Sequence, residues 1–72
     1  MSELNGSSAI TFEVISPIYS IETLKHMRAG SKATAKAVEG SVTMFKIGNY
    51  VFNLRAIQRA VDDKYIRILS FK

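Results

Sequence analysis

The side chains best placed to do chemistry in this chain are cationic. Lys25, Arg28, Lys32, Lys36, Lys46, Arg55 and Arg59 recur through its middle, with Thr34 and Asn49 among them. Lysine and arginine neutralise phosphates, and hydroxyl and amide groups bond to phosphate oxygens or base edges. This set therefore points to contact with nucleic acid rather than to turnover. The groups that catalysis would need are missing or isolated. His26 stands alone, and there is no cysteine to act as nucleophile or thiolate ligand. Asp62 and Asp63 are adjacent, so they point in different directions and offer too few oxygens for a cation. Gly30, Gly40 and Gly48 are spaced as element ends and a turn, not as a phosphate-cradling loop. The expectation is a protein that is not an enzyme and uses neither cofactor nor metal.

Charge distribution supports a polyanionic partner. All ten Lys and Arg residues lie from Lys25 onward, whereas the first nineteen residues carry only Glu3 and Glu13. From position 20 the ten cations oppose Glu22, Glu39, Asp62 and Asp63, a local balance of +6 within a net charge of +4. Double-stranded DNA is the first partner such an asymmetry suggests. The competing account is a basic surface that serves only solubility.

Seventy-two residues make one domain. A chain of this size buries only about 60% of the surface it exposes when unfolded. With no disulfide available, stability has to come from a compact core or from a homo-oligomer. The apolar fraction of 47% suits a folded domain. No apolar run is long enough to span a membrane, and the first residues lack the basic start and apolar core of a signal peptide. A cytoplasmic protein is expected, with a disordered tail over residues 1–8 and a domain over residues 9–72.

The elements that must position the cations follow from pattern. Gly48-Asn49 separates two apolar, β-branched and aromatic runs, a two-residue hairpin signal. With that turn, Ile47 pairs with Tyr50, Phe45 with Phe52 and Thr43 with Leu54. Phe45, Ile47, Tyr50, Phe52 and Leu54 then share an apolar face. A helix should follow, with Leu54, Ile57 and Val61 inward and Arg55 and Arg59 outward. Ile10, Phe12 and Val14 alternate as a half-buried strand that Ser16-Pro17 ends. Lys64 to Phe71 reads as a final strand. The aromatic residues Tyr50, Phe52, Tyr65 and Phe71 are read as core rather than as stacking platforms.

Between the first strand and the hairpin, the spacing predicts two short helices. Ser20 caps Ile21 to Arg28, which Gly30 ends; Ser31 caps Lys32 to Glu39, which Gly40 ends. Lys32 and Lys36, four apart, would share a helix face near Thr34. Lys32 to Val38 also alternates with period two, so a strand lined by Ala33, Ala35 and Ala37 is the alternative. Alanine favours the helix. The fold class expected is α+β: a small antiparallel sheet around a hairpin over residues 42–54, with two or three short helices in a winged-helix-like arrangement.

Glu39-Gly40-Ser-Val-Thr-Met-Phe-Lys46-Ile47-Gly48, followed by Asn49-Tyr-Val-Phe52-Asn-Leu-Arg-Ala56-Ile57, resembles the wing and following helix of small phage excisionases and related MerR-like winged helices. Ser20-Ile-Glu-Thr-Leu-Lys25 is similar to the start of a recognition helix in some of them, so the resemblance spans residues 20–61. It implies a small DNA-binding accessory or regulatory protein, with Lys46 and Asn49 at a wing tip. The alternative is a small phage-type module that binds a host or phage protein, inhibiting an enzyme or defence complex through the exposed edge of Lys64–Phe71. Residues 31–39 separate the two. The two short helices joined at Gly30 have the outline of a helix-turn-helix; a helix presenting Lys32 and Lys36 favours DNA, whereas a strand or loop removes that outline and favours the interaction module.

Overall fold

The computed structural model describes residues 6–17 and 24–72. Along the chain it has β1 (Ala9–Val14), β2 (Lys32–Ala37), β3 (Met44–Ile47), β4 (Tyr50–Asn53), α1 (Leu54–Asp62) and β5 (Ile66–Phe71). The strands form one antiparallel sheet in the order β4-β3-β2-β1-β5. The first four make a meander. Helix α1 then carries the chain across one face, from the β4 edge to the β1 side, where β5 completes the sheet. The winged-helix-like arrangement of two or three helices is therefore corrected to a five-stranded sheet with one helix among the described residues.

The period-two strands lie where their large side chains put them. Ile10, Phe12 and Val14 of β1 are fully buried, and Phe45 of β3 and Ile66 of β5 join them. Gly48 takes φ +59°, the positive backbone of the first central position in a primed hairpin turn. The hairpin register is Ile47↔Tyr50 and Phe45↔Phe52, as the turn dictates. Leu54 still donates its N–H to the Thr43 carbonyl, at 2.7 Å, but it already begins the helix. Asn53 caps α1, its Oδ1 accepting from the Arg55 N–H at 2.8 Å. The inward side of α1 is Leu54, Ile57 and Ala60, with Val61 only half-buried.

Helix α1 ends on a pair of bonds that close its last turn. Tyr65 N–H reaches the Ala60 carbonyl at 2.9 Å and Lys64 N–H reaches the Val61 carbonyl at 3.0 Å. Lys64 takes φ +64°, the left-handed conformation in which glycine is usual. Asp62 and Asp63 close the helix as last residue and cap, both exposed.

Residues 32–39 hold the main correction. The helix expected there is β2, paired on both sides: Phe12↔Ala33 and Ile10↔Ala35 with β1, Ala37↔Phe45 with β3. Each alanine of β2 sits opposite a large residue of a neighbour, which lets small and large side chains interlock under α1. Two-sided pairing and burial outweigh the modest helix preference of alanine. Ser31 is not a helix cap; its carbonyl accepts from Val14 N–H at 2.8 Å, extending the ladder. Gly40 does not stop a helix but lies in the β2–β3 turn, where Ser41 Oγ accepts from the N–H groups of Thr43 and Met44.

The first expected helix, Ile21 to Arg28, is corrected in its second half. Leu24–His26 form a turn, Met27 N–H bonding to the Leu24 carbonyl at 3.1 Å, and Met27 and Arg28 have no regular structure. Ser20, Ile21 and Glu22 lie outside the described residues, as do positions 1–5 of the expected tail. Within 6–8, Ser7 is buried and Ser8 bonds on both sides, to Lys72 and Ala37. Three of the aromatics expected in the core are exposed: Tyr50 at 49%, Tyr65 at 39% and Phe71 at 42%; only Phe52 is half-buried. They sit on or beside the two sheet edges, where no further strand among the described residues covers them.

Candidate nucleic-acid interface

Since α1 packs on the face holding Ile10, Phe12, Val14, Ala35 and Phe45, no element among the described residues covers the opposite face of the sheet, the open face. Alternation puts Lys32, Thr34 and Lys36 of β2 on it, all three exposed. Three cross-strand rows run over this face. One is Val51, Lys46, Lys36 and Ala9, across β4, β3, β2 and β1. The next is Thr34, Thr11 and Ser70, across β2, β1 and β5. The third is Lys32, Glu13 and Arg67, across the same three strands.

The rows differ in electrostatics. Lys36 and Lys46 are direct cross-strand partners, so their Cβ atoms are about 5 Å apart. Among the described residues neither has a carboxylate in ion-pair range. Like charges placed opposite each other destabilise a sheet. The middle row is neutral and offers hydroxyls; the Thr11 and Thr34 Oγ1 atoms lie 3.0 Å apart. In the third row Arg67 donates from Nη2 to Glu13 Oε1 as an ion pair. Lys32 and Lys36 are four residues apart along β2, about 13 Å. The face thus presents one unneutralised cationic row, a hydroxyl row and a row in which a carboxylate faces two cations.

Of the residues marked by sequence, the fold brings Lys32, Thr34, Lys36 and Lys46 onto one surface. Lys25 and Arg28 lie on the β1–β2 connection and Asn49 in the β3–β4 turn. Arg55 and Arg59 are on the exposed side of α1, the far side of the molecule from the open face. There they line a shallow depression of about 440 Å³ with Gln58, Asp62 and Asp63, which mixes both charge signs. Sequence reasoning passed over Thr11, Glu13, Arg67 and Ser70. Alternation alone would have put Thr11, Glu13 and Arg67 on the polar sides of their strands. That β1 and β5 pair carries no local signal. Within the described residues no helix is long and apolar enough to cross a membrane. Comparison with family models, with curated proteins and with solved structures found no match.

Proposed function

We propose that this protein is a non-catalytic DNA-binding accessory module that lays the open face of its sheet against the phosphate backbone of a duplex. The single observation behind this reading is the Lys36–Lys46 cross-strand pair, flanked along β2 by Lys32. An arrangement that costs stability in the free protein is relieved by an anion lying over it. The strand at residues 32–37 removes the helix-turn-helix route to DNA, the outcome expected above to favour a protein-interaction module; the DNA reading is held on the lysine pairing alone. The same strand gathers the lysines that route would have used. No aromatic side chain stands in the three cross-strand rows, so the rows offer phosphate contacts rather than stacking platforms, and this favours a duplex over a single strand. Backbone contact through lysines and hydroxyls positions a protein on DNA without reading sequence.

Fluorescence anisotropy of a labelled mixed-sequence duplex across a salt series tests this. Phosphate contacts at Lys36 and Lys46 give a slope of log K against log salt of about −1.8. The double variant Lys36→Ala/Lys46→Ala should lose both of those contacts, whereas Arg55→Ala/Arg59→Ala should leave the slope unchanged. Absence of binding at low salt, or an equal loss from the helix variant, would remove the proposal.

A second reading rests on β5. It is an edge strand with Leu69 and Phe71 each 42% exposed, a form suited to strand addition by a protein partner. It takes the lead if duplex binding is absent.

A further inference from the structure

We infer that Glu13 is an internal competitor for phosphate that confines DNA to the Lys36–Lys46 side of the open face; this rests on the DNA-binding reading above. Glu13 lies on β1, between β2 and β5, and the register puts Lys32 on one side of it and Arg67 on the other. Arg67 is already committed: its guanidinium donates to the Glu13 carboxylate, although the arginine side chain is 65% exposed. A backbone phosphate approaching this end meets a carboxylate at the centre of the row. To engage Arg67 it must displace a partner already in place. The Lys36–Lys46 row, on the other side of the Thr11–Thr34–Ser70 hydroxyls, has no such obstacle.

Charge and register together make the inference quantitative. Neutralising Glu13 removes one repulsive charge and releases Arg67 for a phosphate. Each additional phosphate neutralised steepens the salt slope by about 0.9. At about 0.1 M salt that corresponds to roughly tenfold tighter binding per added contact. Exposed ion pairs contribute little to stability, so the folded state should survive the change.

The experiment is a charge-matched comparison by anisotropy on the same duplex. Glu13→Gln should bind about tenfold tighter than the unchanged protein, with a slope steeper by about 0.9. Glu39→Gln alters net charge equally but sits in the exposed β2–β3 turn, away from the three rows, and should shift affinity less than twofold. Arg67→Gln in the Glu13→Gln background should cancel the steeper slope, because the released guanidinium is the group making the new contact. Circular dichroism of each variant confirms that it is folded. If the unchanged protein binds but Glu13→Gln gains nothing, or Glu39→Gln gains as much, the inference fails and the proposed interface stands. If neither the unchanged protein nor Glu13→Gln binds, both fail.

Discussion

The covered face and the open face of the sheet are built from the same strands, yet they are subject to different constraints. On the covered face, side chains differ in size and match in polarity: Phe12 is opposite Ala33, Phe45 opposite Ala37, Ile10 opposite Ala35. Volume is what is being satisfied there. On the open face polarity is arranged in rows, with Lys36 against Lys46 and Glu13 between Lys32 and Arg67. Charge is what is being placed. β2 shows both in six residues, its alanines turned to the core and its Lys, Thr and Lys turned outward. One face therefore answers to stability, and the other can depart from it.

Substitutions that break this contrast should differ in size and then in sign. Phe12→Ala, at a fully buried position, should destabilise by about 3–5 kcal/mol. That is a large share of the roughly 4–11 kcal/mol expected for a chain this long, so urea titration should find the midpoint of the variant far below that of the unchanged protein. Its open-face neighbour Thr11→Ala should cost under about 1 kcal/mol. Next is Ala35→Leu, which overfills a site with no exposure and should cost about 1–3 kcal/mol by the same titration. The smallest effect should carry the opposite sign. Lys36→Thr relieves the Lys36–Lys46 repulsion and should stabilise the protein by about 0.2–1 kcal/mol, most at low salt. Thermal melts at two salt concentrations would show it. A loss of stability there would mean that the lysine stem packs usefully and that the row is not under electrostatic strain.

How much of this was legible depended on side-chain size. β1, the β3–β4 hairpin, α1 and β5 announce themselves because Ile10, Phe12, Phe45, Leu54, Ile57 and Ile66 are large and correctly spaced. β2 does not, because its buried positions are alanines, which suit a helix as well as a strand; only the neighbours decide. The grouping of Lys32 with Lys36 survived that error for a geometric reason. A separation of four is close to one helical turn and also an even number, so the pair shares a face in either structure. Lys46 joined them through strand pairing, and Glu13 and Arg67 met across 54 positions of chain. No local pattern encodes such contacts. Tyr50 follows the covered-face alternation, whereas Phe71 reaches that face only through the register shift between Thr11 and Phe12; both fall on edge strands, and alternation carries no information about where a sheet stops.

The position of β1 between β2 and β5 also bears on how the chain is made. Synthesis is ordered in sequence, so β1 acquires β2 early and must wait for β5. At about 5–20 residues per second, the 54 positions between Glu13 and Arg67 take roughly 3–11 s to assemble. Through that interval one side of the strand carrying Ile10, Phe12 and Val14 has backbone donors and acceptors with no mate in its own chain. Chains that stop before residue 66 would keep that edge open and should be the species that aggregate, whereas chains that reach Phe71 close it.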